Sequence, residues 1–161
     1  MLEARTAVAV IFGLAMTGCG GAAPSAGPEV PEGAPTAEQA VEIFLKSAQE
    51  AKGARERGEL GAADQAYARM AAVFGTDDGS IRRAYPAGEV RSRMIVLSAC
   101  LRPISFRISS QGVMRSQTEG RTVVTVDLER DDGTHTLPFR LVRGRAGRWF
   151  IEQIEFGSFA C

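Results

Sequence analysis

Acid–base chemistry near neutral pH draws on histidine, carboxylates and tyrosine. The chain carries one histidine, His135, and two tyrosines, Tyr67 and Tyr85. His135 shares strand parity with Leu137 and Phe139, so its side chain points to the side of an apolar stripe. It also follows the Asp131-Asp132-Gly133 turn, which places it at a rim, where a histidine commonly has no chemical task. Tyr67 falls with Ala63, Met70, Ala71 and Phe74 on one helical face, the setting of a core tyrosine whose hydroxyl reaches a partner near the surface. Tyr85 lies in a turn-rich stretch. Asp127 shares parity with Val123 and Thr125, opposite Val124 and Val126, and reads as a solvated carboxylate or a cross-strand partner of an arginine. No Asp–Tyr or Asp–His pair has a spacing that defines a catalytic unit. His135 and Tyr67 are candidates for lining a pocket, and no residue is assigned to catalysis. One histidine and three cysteines also leave too few ligands for the usual multi-Cys/His zinc cluster, and no metal or cofactor is implied.

The chain's 161 residues suffice for one domain of ordinary size. Lys plus Arg and Asp plus Glu each number 19, a formal net charge of zero, which argues against a nucleic-acid partner held by general phosphate neutralisation. Hydrophobic residues at 45% are enough for a core. Arg82, Arg83, Arg91, Arg93, Arg102 and Arg107 make the middle locally basic. That run reads as a solvated arginine-rich surface or, alternatively, as a patch for an anionic ligand or lipid headgroup.

The N-terminus has the layout of an export signal. One positive charge at Arg5 precedes a mostly apolar stretch, Ala7 to Met16, too short to span a bilayer core of ~30 Å as a helix. It ends in Met16-Thr17-Gly18-Cys19, which resembles the lipobox of bacterial lipoproteins. The resemblance implies a signal peptide over 1–18, cleavage before Cys19, a diacylglyceryl group on its thiol and acylation of the new amino terminus. More than one acyl chain makes such attachment stable, at ~0.8 kcal/mol per buried methylene. Residues 19–35 are rich in Gly, Ala and Pro and read as an extended tether. No Asp follows Cys19, so in an organism with two membranes the resemblance favours the outer one, with the domain facing the periplasm. If Cys19 carries lipid, Cys100 and Cys161 remain as an even pair in an oxidising compartment, and a disulfide between them is expected. The alternative is a buried thiol and a loose terminus.

The folded domain is expected over 36–161. Thr36-Ala37-Glu38-Gln39 is a capping box, followed by Val41, Phe44, Leu45 and Ala48 at helical spacing, with Gly53 as a plausible stop. A second helix lies between Gly58 and Thr76, and a loop or short strand between Thr76 and Pro86. The third helix runs from Pro86 to Leu101, with Val90, Met94, Leu97 and Leu101 on its main face. Ile95, Val96, Ala99 and Cys100 on its other faces predict burial on several sides. The period then changes to two: Ile104–Ile108, Val123–Glu129, Leu137–Leu141 and Trp149–Phe156 read as strands, with an Asp132-Gly133 hairpin signal. Pro138 predicts an edge strand, or one whose N–H side is open. Trp149 and Ile151 are expected on one face of the closing strand, and Phe150, Ile154 and Phe156 on the other. That requires a covered outer face, whether by a second copy of the domain or by the C-terminal tail.

Helices followed by an antiparallel meander make an α+β domain. The order, with the closing strand Gly147-Arg148-Trp149-Phe150-Ile151-Glu152-Gln153-Ile154, resembles the NTF2-like (SnoaL, ketosteroid-isomerase-like) cone. The resemblance implies N-terminal helices packed into a bent sheet of four or more antiparallel strands, with the helix of Glu89–Leu101 inside the cone. The hairpin that fold has between its second and third helices is shortened here to about Ser80–Tyr85, a departure from the family's pattern. A cystatin-like or other sheet with helices on one face is the alternative fold. Two functions follow. One is a non-enzymatic, lipid-anchored binding or interaction domain at the cell envelope, with the membrane, a small apolar ligand and a homodimer through the sheet as partners. The other is an isomerase- or dehydratase-like enzyme using the cone pocket. An open cone holding a carboxylate or histidine favours the enzyme, and a cone filled by Val90, Met94, Leu97 and Phe106 favours the binding domain.

Overall fold

The computed structural model describes residues 30–115, 120–157 and 161. The signal segment, Cys19 and the tether up to residue 29 lie outside the described residues.

Helix α1 is Ala37–Glu56, and Thr36 caps it by accepting a hydrogen bond from the Gln39 N–H at 3.2 Å. Gly53 does not end it, because glycine inside a helix costs only ~1 kcal/mol. The stop is Gly58, at φ +75°. Its N–H donates to the Arg55 carbonyl and that of Glu59 to the Ala54 carbonyl, the paired closure of a Schellman cap. Helix α2 (Leu60–Val73) folds back onto α1, with Ala51, Ala54, Ala63 and Ala66 among the small buried residues of the pair. A two-residue hairpin follows, β1 (Gly75–Thr76) with β2 (Gly79–Ser80), then a 3-10 turn at Ile81–Arg83.

Helix α3 (Ala87–Leu101) departs from expectation. Val90, Met94, Ser98, Cys100 and Leu101 are buried, but Val96 is 65% exposed, Ala99 is exposed and Leu97 only half-buried. The reason is its place. It packs chiefly on α1, α2 and the 3-10 turn, while α1 is the helix that touches β3, β4 and β6 of the main sheet. The helix against the sheet is therefore the first and not the third.

That sheet is an antiparallel meander in the order β3 (Ser105–Arg115), β4 (Arg121–Arg130), β5 (Gly133–Arg143), β6 (Trp149–Ile154). The domain is α+β, with three helices and a four-stranded antiparallel sheet beside the small hairpin. The Asp131–Asp132 turn joins Arg130 to its partner Gly133. Val124, Val126, Leu128, Leu137, Phe139 and Leu141 form the inner face and meet Val41, Phe44 and Leu45 of α1 in one core. The Phe44 ring lies 5.8 Å from that of Phe74 and 6.5 Å, edge-on, from that of Phe139.

Of the two alternatives for Pro138 the second holds, and one other strand expectation is corrected. Pro138 lies in an interior strand, with its N–H side open. Its carbonyl accepts from the Glu155 N–H at 3.0 Å, just past the end of β6. In an extended strand its nitrogen points to the same side, where no ladder donor is needed. In β6, Gln153 pairs with Arg140 but Ile151 with Leu141, leaving Glu152 as an extra residue. This bulge brings Ile154 back to the inner face beside Ile151 instead of opposite it, and both join the core.

On the outer face, part of the cover comes from the segment that leads into α1. Val142 pairs with Phe150, and both are buried. Residues 32–34, assigned to the tether from composition, lie there. Ala34 exchanges backbone hydrogen bonds of 3.0 and 2.8 Å with Trp149, and the Gly33 N–H donates to the Ala72 carbonyl. The Arg148 guanidinium donates to the Glu32 and Gly33 carbonyls. At Gly33 (φ +68°) a Cβ would stand 2.8 Å from the Phe150 ring, so this strap needs its glycine. Beside the half-buried Val123 and Pro138 that face carries polar pairs: Thr136 donates to Asp127 at 2.8 Å, and Ser105 to Glu129.

Candidate functional site

The inner face of the sheet is filled. Phe44, Phe139, Met70, Met94, Leu101 and Leu128 are each less than 2% exposed. Val90 is buried, and Leu97 and Phe106 pack against the core half-buried. Among the described residues the buried polar side chains other than the Tyr67 phenol are Ser47, Ser80, Ser98 and Thr122, and none of these four is ionisable. Ser98 donates to the Ala48 carbonyl at 3.3 Å and pins α3 to α1.

His135 sits on the inner side at the β4–β5 rim, paired across the ladder with Leu128. Its Nε2 lies 3.2 Å from Asp132 Oδ1, and Arg130 reaches the same carboxylate at 3.2 Å. Burial raises the Asp132 pKa, but the hydrogen bond with His135 and the Arg130 charge outweigh it, and the net displacement is downward. This is a turn-stabilising cluster.

Tyr67 is 3% exposed, and its hydroxyl has no hydrogen-bond partner among the described residues. The expected surface partner is missing because the ring lies in the seam between α2 and α3, where two clefts meet it. The first, of about 430 Å³, runs along Asp64, Ala68, Arg82, Val90 and Arg91. The Asp64–Arg91 ion pair, 2.7 Å, neutralises much of its charge. The second, of about 600 Å³, is assembled from four elements. The end of α1 supplies Lys52, Arg55 and Glu56, and α2 supplies Tyr67. Ile95, Ser98, Ala99 and Arg102 come from α3, and Asp131 from the β4–β5 turn. His135 lines neither cleft, so the two pocket candidates stand apart, as an acid–base pair could not.

Part of the basic run is neutralised by carboxylates, two of them distant in sequence and one a turn away on α3. Arg83 pairs with Glu32 at 2.7 Å, Arg91 with Asp64, and Arg93 with Glu89 while lying 4.2 Å over the Tyr85 ring. The Glu89 hydrogen bond, against opposing desolvation, raises the Arg93 pKa further. Asp127 takes its hydrogen bond from Thr136 rather than from an arginine. In the second cleft the pattern reverses. Lys52 is half-buried, and neither it nor Arg55 has a carboxylate partner among the described residues, while Arg102 Nε donates to the Ala99 carbonyl. Sequence reasoning passed over Lys52 and Arg55, because nothing near them in the chain marks them as unpaired. The groups with displaced pKa values, Arg57, Glu59, Arg93 and Asp132, do not line this cleft. It holds fixed positive charge, a buried phenol and apolar wall, a combination suited to binding an anion.

A disulfide joins Cys100 to Cys161, with the Cα atoms 4.7 Å apart. It holds the end of the chain at α3, one residue from Ala99 of the cleft. No group of three or more potential metal-ligating side chains occurs among the described residues, and none of their helices is long and apolar enough to cross a membrane. Compared with protein-family models, curated proteins and solved structures, the chain matches none.

Proposed function

We propose that this is a lipid-anchored cell-envelope protein whose folded domain binds a ligand or partner and catalyses nothing. The observation that carries the reading is the packed interior. The inner face of the sheet, where an enzyme of the cone type would keep a base, is covered by α1 and lined with apolar side chains. Binding capacity lies instead on the helical surface, in a cleft with a fixed charge pattern. We further read the α+β body as an NTF2-like cone, on the strength of the helices-then-meander order and the closing strand, from which the brief hairpin is a departure.

Anchoring rests on Cys19 and its preceding small residues. The chain enters the body at the Glu32–Ala34 strap, so about a dozen intervening residues hold the domain within ~40 Å of the acylated cysteine. A homodimer through the sheet would bury the polar Thr136–Asp127 and Ser105–Glu129 ladder, which makes the outer face a poor match for a dry interface. Export of the chain and of Cys19→Ser in a bacterial host tests the anchor. The parent should partition into detergent and carry the added mass of its acyl groups, and the variant should lose both. Equal partitioning and equal mass increments would refute anchoring.

A further inference from the structure

We propose that the cleft between the end of α1, α2 and α3 binds an acidic amphiphile: one phosphate-type anion carried on a short apolar body. This rests on the binding-domain reading and deepens it by naming a ligand class. Three cations, Lys52, Arg55 and Arg102, line the cleft against two carboxylates, Glu56 and Asp131. The two carboxylates are exposed, as are Arg55 and Arg102, while Lys52 is half-buried with no ion-pair partner among the described residues, so cations outnumber carboxylates in the cleft by one. An ammonium on a stem laid along the cleft wall, without a fixed counter-charge, is a standing attraction for an anion.

The second observation is independent of charge. Tyr67 is 3% exposed, lines the cleft, and has a hydroxyl without a partner among the described residues. The ring is buried but the hydroxyl opens toward the cleft, where a ligand oxygen would accept its hydrogen bond. The cavity of about 600 Å³ exceeds what a bare phosphate fills, and Ile95 and Ala99 give it an apolar wall. The anion therefore brings an apolar portion with it. Such chemistry could come from a bilayer phospholipid or from a dissolved phosphoester, and the two sources separate by experiment.

The probe is hexyl phosphate, titrated calorimetrically into the full chain carrying Cys19→Ser, with inorganic phosphate and hexyl glucoside as comparators. Hexyl phosphate should bind at least ~10-fold more tightly than either, since it alone supplies both charge and buried methylenes. The double variant K52Q/R102Q should weaken it by ~10-fold or more. Y67F, which keeps the ring and removes the hydroxyl, should weaken it by ~3–10-fold with an unchanged melting curve. In a second arm, the same chain is sedimented with phosphatidylcholine vesicles with and without phosphatidylglycerol. Co-sedimentation that depends on phosphatidylglycerol and is lost in K52Q/R102Q assigns the anion to a lipid. Hexyl phosphate binding without it assigns a soluble ligand. Equal affinity for hexyl phosphate and hexyl glucoside, or binding indifferent to K52Q/R102Q, overturns the proposal. The chain tested carries no lipid, so failure here leaves the anchor standing, and failure of the anchor leaves the cleft standing.

Discussion

Replacing Cys161 with serine removes a covalent link whose effect follows from topology. Cys100 lies one residue before the end of α3, and β3 follows at one edge of the sheet. Cys161 comes after β6, the strand at the other edge. The bridge, at a sequence separation of 61, thus encloses the whole meander in one covalent loop. Closing a loop of that length in the unfolded chain removes conformational entropy equivalent to ~4 kcal/mol near room temperature in the chain-entropy model. For a domain of this size such a loss lowers the melting temperature by ~12–20 °C. The variant is made at Cys161 because Cys161 is exposed, whereas Cys100 is 7% exposed and its replacement would disturb the core as well. Urea unfolding of the oxidised parent, the reduced parent and Cys161→Ser gives the comparison. The reduced parent and the variant should coincide, both below the oxidised form, and the oxidised form should resist alkylation at both positions until reduced. A loss below ~0.5 kcal/mol, or coincidence of the oxidised parent with the variant, would refute the reasoning, because surface substitutions without such a link stay within that range.

Thr122→Val should stabilise the domain by ~1 kcal/mol in urea unfolding, because the Thr122 hydroxyl is buried with no partner among the described residues. Gly33→Ala should cost ~1–3 kcal/mol through its left-handed backbone and the contact with Phe150, and should speed amide exchange at Ala34 and Trp149 more than in β4. Phe44→Ala should cost ~3–5 kcal/mol, since the ring sits fully buried between Phe74 and Phe139. The Asp132 carboxyl, followed by NMR, should titrate below the ordinary aspartate value, and His135→Ala should move it upward. Its folded value is depressed, so its contribution to stability is present above the unfolded pKa and fades as pH falls through the folded one.

Features carried by local pattern were legible in the chain. Thr36 with Gln39 marked the start of α1, Val41, Phe44 and Leu45 marked its buried face, and the Asp131–Asp132 turn marked the joint between β4 and β5. Features that depend on how distant segments meet were not. A bulge at Glu152 cancels one step of alternation, so Ile154 changes face without any change in residue type. Pro138 is tolerated in an interior strand because β6 stops where its nitrogen faces, and that is a matter of neighbouring strand length. The Glu32–Ala34 strap is held mainly by backbone hydrogen bonds, which leave almost no signature in composition. α3 carries apolar residues around its circumference, yet α1 takes the place on the sheet, and Val96 is left in solvent.

The same reasoning explains why the cleft escaped detection while the arginine run drew notice. A run of like charges is visible in sequence, but its field depends on which carboxylates fold against it. Glu32, which meets Arg83, and Asp64, which meets Arg91, come from the strap and from α2 and neutralise part of the run, while Arg102 of the same run lines the cleft. Lys52 and Arg55 stand in a helix that looks balanced, beside Glu50 and Glu56. Arg69 of α2 takes Glu50, and neither Lys52 nor Arg55 has an ion-pair partner among the described residues. Cations without ion-pair partners among the described residues, Arg102 of the run with Lys52 and Arg55 of α1, thereby meet at a seam where Tyr67 lies buried. Charge reversal at a quenching residue tests this redistribution. Asp64→Lys should strengthen hexyl phosphate binding at the neighbouring Arg91 cleft by a few-fold at low salt and lose that gain at high salt, while Glu50→Lys should act through Arg69 and leave it unchanged.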